Sequence, residues 1–383
     1  MLHRLCRLAP GLLVTTSLLA ADPAVRTVNR LAATTLVAAT AQPAEFRYPA
    51  FPSLLQMGPD EVWIVTKAGR SHATDSGAAM EVRSHTLSTG ATRLVERLVA
   101  PAPKLYQMGE LARFSDGSIG MYLDVQTVGW DGRHSRAGAE VIRWDAGRKA
   151  FGKPEPLGPI NGVLYGYPLD FITEGRTTWQ LIMAFGYHLP GGRWSVDAVR
   201  TDDAGRSWSF VRNLTEEFGG IRANESGFVR HGDGFIVTTR GYDSIARLHR
   251  TDAAFRVQRQ SDLTGKYSFI NRYVGRPRVF IRDGQGYMIG RNWTRPTGAE
   301  GGRGAEAAPM QLCLIRFDPE TLAVTGCVVL DNADNQKVTD GYYAVTAFSG
   351  EGADARLHVF TYKALNNQPP DIVRFDYRWA DVK

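Results

Sequence analysis

Four stretches of the 383-residue chain bring carboxylates, guanidinium groups and phenols together at short spacing. They are Lys67 to Arg83 (KAGRSHATDSGAAMEVR), Asn224 to Arg240 (NESGFVRHGDGFIVTTR), Gly275 to Trp293 (GRPRVFIRDGQGYMIGRNW) and Asp340 to Phe348 (DGYYAVTAF). Guanidinium groups hold carboxylates through charge-assisted hydrogen bonds, carboxyl groups transfer protons, and phenols can attack carbon once relieved of theirs. Together they suit proton-transfer chemistry on an anionic ligand. The formal net charge of +6, carried mostly by Arg, is compatible with such a ligand. No His/Cys/Asp cluster has metal-ligand spacing, so no metal or other cofactor is expected. No Lys/Arg run of the kind that tracks nucleic acid occurs, so that partner is not expected either.

The elements that must position these residues read as β-structure. Short alternating segments with turn residues fill the chain from about Arg47 onward, and no amphipathic helix of several turns interrupts them. Thr201 to Trp208 (TDDAGRSW) fits the Asp-box pattern S/T-x-D-x-G-x-S/T-W at every required position. It predicts a tight hairpin turn in which Asp203 accepts backbone N–H bonds, Gly205 supplies a positive φ, and Trp208 packs back on the strands.

A turn between apolar strands recurs at Gly58, Gly117, Gly175, Gly234, Gly284 and Gly352, at intervals of 59, 58, 59, 50 and 68 residues. Periods of this size mark blades or solenoid repeats. Weaker versions of the octapeptide fall in phase at Thr86 to Arg93, Arg143 to Ala150 and Arg250 to Val257. The expectation is an all-β, six-bladed β-propeller of four-stranded antiparallel blades, closed by an outer strand from Thr34 to Thr40.

On these motifs the chain resembles the sialidase (neuraminidase) superfamily over nearly all of its length after the leader. Phe46-Arg47-Tyr48-Pro49 resembles the family's opening signature of an aromatic followed by R-I-P, with Tyr in place of Ile. The resemblance implies Asp75 as acid/base, with Arg70 a nearby site or structural residue. It implies Glu225 and Arg240 on two strands joined by the Asp233-Gly234 turn, and Arg291 as the third arginine beside Arg47 and Arg240. Arg276 and Arg278 compete for that last place. Tyr343 aligns with the nucleophile, and Tyr342 is the alternative.

The implied chemistry is retaining removal of a terminal α-ketosidic sialic acid or related sugar acid. Three arginines would clamp its carboxylate, at about 1.5–3 kcal/mol for each charged hydrogen bond. A neutral phenol escapes the repulsion that a carboxylate nucleophile would feel, and sialidases with a Tyr nucleophile are a recognised exception among glycosidases. Glu225 would take the phenolic proton, because ionising a free phenol of pKa near 10 at neutral pH costs about 4 kcal/mol. Sialylated or other acidic glycans are the expected partners. Two other readings stand: a silent propeller that binds glycan or protein, and a lyase acting on uronate-containing glycans. Taken singly, Arg47 reads equally as a surface residue, Asp75 as a turn former, Glu225 and Arg240 as a cross-strand ion pair, and the two tyrosines as core aromatics.

Residues 1–21 have a basic start and a short apolar run, the layout of an export signal, with cleavage after Ala21 or as late as Ala41. The mature chain is expected to be secreted or periplasmic, with a single propeller over 42–383 and no membrane span. Cys313 and Cys327 flank a turn at Asp318 to Thr321. Pairing about Glu320 would set them opposite one another, for a disulfide or two buried thiols.

Overall fold

The computed structural model describes residues 22–73, 75–129, 133–185, 194–293 and 310–383. The export signal expected over residues 1–21 lies outside them, as does the Gly/Ala-rich stretch 294–309. Within them, alternating segments pair in sequence order into six antiparallel blades. Their inner strands are Tyr48–Gln56, Lys104–Arg113, Pro168–Glu174, Ala223–His231, Gly275–Arg282 and Val338–Ser349. These six pack side by side in a ring, first against last. Five of the repeating turns expected from sequence join an inner strand to its neighbour; the sixth, around Gly352, does so in the last blade. The chain is an all-β six-bladed propeller.

Closure comes from the N-terminus. Ala32–Val37 pairs with Asp371–Arg378 as the outer strand of blade six. Val25–Thr27 adds a parallel fifth strand to blade five, beside Val324–Asp331. The propeller therefore reaches back past residue 42, and a chain beginning there would leave blade six with an unpaired edge.

The Thr201 to Trp208 turn lies in blade three, between Ser195–Thr201 and Ser209–Asn213. Asp203 accepts from the N–H groups of Arg206 and Ser207 at 3.1 and 2.9 Å, and from the hydroxyls of Thr201 and Ser207 at 2.7 and 2.6 Å. Gly205 has φ +74°, as the turn requires. Trp208 packs edge-on against Tyr122 of blade two at 5.8 Å, so this turn glues neighbouring blades. Trp208→Ala is expected to cost up to the ~3–5 kcal/mol of a buried Trp truncation, lowering Tm while the activity per folded molecule is unchanged. A selective loss of activity at constant Tm would refute that role.

Each inner strand carries a β-bulge near its start, between Ala50/Ser53, Tyr106/Met108, Pro168/Asp170, Ala223/Ser226, Gly275/Arg278 and Gly341/Ala344. A bulge breaks strict alternation and re-aims neighbouring side chains. The six bulges form a ring at one end of the axis. At the other end is a cavity of about 440 Å³, lined by Leu54, Glu110, Asp170, Arg278, Phe280 and Val345 among others.

Cys313 and Cys327 are buried free thiols. The expected pairing about Glu320 is corrected by the structure: Cys313 faces Val329 and Cys327 faces Ile315. The cause is a longer turn, in which Asp318 and Ala323 are hydrogen-bonded and the register shifts between Arg316 and Phe317. The two thiols still meet diagonally, and the hydrogen bond that the Cys327 thiol makes to Cys313, together with burial, raises it above its ordinary range.

Candidate active site

The ring of bulges brings blades four, five and six together around one phenol. Tyr343 Oη accepts from Arg291 Nη2 at 3.1 Å and from Arg240 Nη1 at 3.3 Å. Arg240 Nη1 also donates to Glu225 Oε2 at 2.8 Å. Glu225 Oε2 takes a second bond, from the backbone N–H of Arg276 at 3.0 Å, and Oε1 takes the Tyr167 hydroxyl at 3.3 Å. Glu225 and the Tyr343 hydroxyl share Arg240 Nη1, and the nearby carboxylate helps raise the phenol. Tyr343 thus has a proton acceptor on one side and two cations on the other.

Backbone shape makes this convergence possible. Arg276 has φ +44° and Tyr342 has φ +64°, both left-handed conformations uncommon outside glycine. At blade six the bulge decides between the two tyrosines. Tyr343 joins the cluster of Glu225, Arg240 and Arg291, whereas Tyr342 is buried between blades five and six and donates to Asp331 at 2.7 Å. Gly275 is a second requirement, because a Cβ there would lie 2.8 Å from Arg291 Nε and 3.1 Å from the Tyr343 ring.

Burial raises the carboxyl of Glu225, but the Arg240 charge, the Tyr343 hydrogen bond and the other arginines outweigh it and hold the group at about 2. Burial, followed by the Glu225 charge, pushes the Tyr343 phenol well above its ordinary range despite Arg291 and Arg240. At neutral pH the resting pair is therefore a carboxylate and a neutral phenol, with the carboxylate ready to accept. A depressed carboxyl stabilises the fold above its unfolded value of 4.5, and that stability is lost as pH falls through about 2. Melting curves should show Tm falling across this window less steeply in Glu225→Gln than in wild type; equal slopes would contradict the assignment.

Of the three arginines expected to converge, Arg240 and Arg291 do. Arg47 does not: it is exposed, just before the first inner strand, and makes no hydrogen bond or ion pair with the pocket groups among the described residues. Its neighbour Tyr48 points inward instead, donating to Asp340 at 2.5 Å. Arg47 ends the short 3-10 turn Ala44–Phe46 with φ −72° and ψ −3°, outside the strand that begins at Tyr48, so the strand's alternation does not aim it at the axis. Arg276 is present through its backbone N–H, while its guanidinium pairs with Glu110 and lies over Tyr167. Arg278 is turned toward the opposite cavity, bonded to Glu110, Asp170 and Leu169 O.

Asp75 differs most from expectation. It is buried, with Oδ1 bonded to Lys67 Nζ at 2.8 Å and Oδ2 bonded to the N–H groups of Arg70 and Ser71 at 2.5 and 3.4 Å. With both oxygens occupied by donors, it is placed as a structural anion and not as a free proton donor. Arg70 contributes only that N–H; its side chain is exposed.

Several pocket residues were not singled out from sequence. Arg136 lies over Phe185 and Tyr167, at 3.7 and 5.4 Å from the ring centres, and donates to Asp124 at 2.5 Å. Asp340 gathers Tyr48, His72 and Tyr362 as donors and faces Arg291 at 3.5 Å. Burial opposes ionisation of Asp340, yet His72 and Arg291 hold its carboxyl far below the ordinary range. Asp340 opens the DGYYAVTAF segment, and that position beside two tyrosines was the available signal.

No protein-family model matches the chain, and no curated protein matches it. Among solved structures, a protein of unknown function from Dyadobacter fermentans superposes with a TM-score of 0.68 at 12% identity, covering 91% of this chain and 98% of that one. An α-L-arabinanase from Penicillium chrysogenum, complexed with arabinobiose, gives 0.60 at 10%, covering 93% and 100%. A variant of the NanB sialidase of Streptococcus pneumoniae gives 0.62 at 10%, covering 91% and 71%. At these identities the likeness shows the fold alone, the six-bladed β-propeller described above.

Proposed function

We propose that the protein is a retaining exo-glycosidase that removes a terminal sugar bearing a carboxylate, sialic acid or a related sugar acid, from acidic glycans. The observation that carries this reading is the Tyr343 hydroxyl set between Glu225 and two arginines. Arg291 Nε is buried and has no hydrogen-bond partner among the described residues. A buried, unpaired donor costs free energy that an incoming anion would recover.

In the reaction, Arg240 and Arg291 bind the sugar carboxylate. Tyr343 Oη attacks the anomeric carbon as its proton passes to Glu225, giving a tyrosyl-glycosyl intermediate that water then hydrolyses. Fold neighbours named as a sialidase and an arabinanase support glycoside hydrolysis and leave the sugar to the pocket. Two arginines beside the phenol favour an acidic sugar over a neutral one. The basic, apolar leader supports action outside the cytoplasm, in a secreted or periplasmic protein.

The test is a release assay over α-sialosides, other 2-keto sugar acids, uronides and neutral arabinosides. Release confined to acidic glycosides, with KM raised at least about tenfold in Arg240→Ala, is expected from the loss of one charged hydrogen bond. Release only from arabinosides, or an unsaturated product absorbing in the ultraviolet, would replace this reading with a neutral glycosidase or a lyase.

A further inference from the structure

Hydrolysis through Tyr343 also needs a group that protonates the leaving oxygen, and Asp75 is occupied with Lys67. Three residues before Asp75, His72 lies beside the Tyr343 cluster with 29% of its side chain exposed. Its Nδ1 lies 2.5 Å from Asp340 Oδ2. Asp340 is also the carboxylate facing Arg291, which bonds Tyr343, so His72 and the phenol share one network. Phe51 bridges them as well, with its ring 4.9 Å from His72 and 5.9 Å from Tyr343.

The segment carrying His72 is held by buried groups. Lys67 Nζ donates to Ser71 O and His72 O at 2.9 and 3.1 Å, and Gln107 Nε2 donates to His72 O at 2.7 Å. Lys67 is fully buried, and Asp75 is the carboxylate that neutralises it. An ionised Asp340 can only accept, so Nδ1 carries hydrogen in either protonation state of the imidazole. That leaves Nε2, which has no hydrogen-bond partner among the described residues, as the atom that gains and loses a proton.

We infer that His72, oriented by Asp340, is the general acid/base of this site, and that the Lys67–Asp75 pair positions the segment that carries it. The inference rests on the glycosidase reading. In the first step the imidazolium Nε2–H gives its proton to the glycosidic oxygen, which keeps the electron pair of the breaking bond to the anomeric carbon. Tyr343 Oη forms the new bond to that carbon, and its proton goes to Glu225. In the second step neutral Nε2 takes a proton from water, whose oxygen bonds the anomeric carbon. Tyr343 Oη departs and recovers its proton from Glu225, so the sum is hydrolysis with both residues restored.

A proton donor matters most when the leaving group is basic. The experiment compares wild type, His72→Ala, His72→Gln and Asp75→Asn on a 4-methylumbelliferyl α-sialoside and on sialyllactose, per folded molecule. General-acid catalysis contributes about 10²–10⁴-fold. His72→Ala and His72→Gln should therefore lose at least about 100-fold more rate on sialyllactose than on the aryl glycoside, and added imidazole should restore part of the His72→Ala rate. Asp75→Asn should lower both rates in similar proportion. A leaving-group-selective loss in Asp75→Asn, absent from the His72 variants, would overturn the assignment alone. No release of either substrate by wild type would overturn the sialic acid reading and this assignment with it.

Discussion

Tyr343→Phe should abolish turnover of any glycoside the wild type cleaves, with kcat falling at least about 10³-fold, or about 4 kcal/mol in activation free energy. The phenylalanine keeps the ring that packs on Phe51 and Tyr362 at 5.9 Å each, so the fold and pocket shape should survive. What is removed is the oxygen on which Glu225, Arg240 and Arg291 converge. Covalent catalysis replaces one difficult step by two easier ones, and no other nucleophile occupies this position to take over. Affinity for a free sugar acid, measured by calorimetry, should stay within a few fold, because both arginines remain. Retention of more than a tenth of wild-type kcat would sink the tyrosine assignment while leaving the fold untouched.

Glu110→Ala should cost about 3–5 kcal/mol of stability. Glu110 is buried on the second inner strand and accepts from the guanidinium groups of both Arg276 and Arg278. Without it the buried Arg276 guanidinium keeps, among the described residues, the Met108 sulfur, the Tyr167 side chain and the more distant Glu225 charge. Arg278 keeps Asp170 at 2.8 Å. A drop in Tm on the order of 5–10 °C should follow. The substitution should also weaken activity in the folded fraction, because the Arg276 backbone N–H that bonds Glu225 sits in the same left-handed turn. Glu110→Gln, which keeps an acceptor oxygen, should recover part of the stability. A Tm within 1 °C or so of wild type in Glu110→Ala would show that the axial pairs contribute nothing, as many ion pairs do not.

Both variants probe the boundary between the two ends of the axis. Arg276 and Arg278 are two residues apart on one inner strand and share Glu110. Arg276 nevertheless serves the Tyr343 pocket, and Arg278 lines the opposite cavity. The bulge between Gly275 and Arg278 sets that division.

The blade count, the turn phase and the closing N-terminal strand were legible from sequence because they rest on local chemistry. Period-two alternation makes strands, and Asp-Gly and related turns recur at intervals of 50 to 68 residues, with Asp203 and Gly205 capping a turn whose geometry depends on eight consecutive residues. The grouping of Glu225, Arg240, Arg291 and Tyr343 was implied by the resemblance to the sialidase superfamily, and their places in the repeat are compatible with it. What tertiary structure decided is which neighbour faces inward where the alternation breaks: Tyr343 over Tyr342, and Tyr48 over Arg47. It also decided that Asp75 is spent on a buried lysine 8 positions earlier, while His72 meets a carboxylate 268 positions away. Bulges and buried ion pairs depend on what packs across the axis from other blades, and one strand's own residues do not encode that contact.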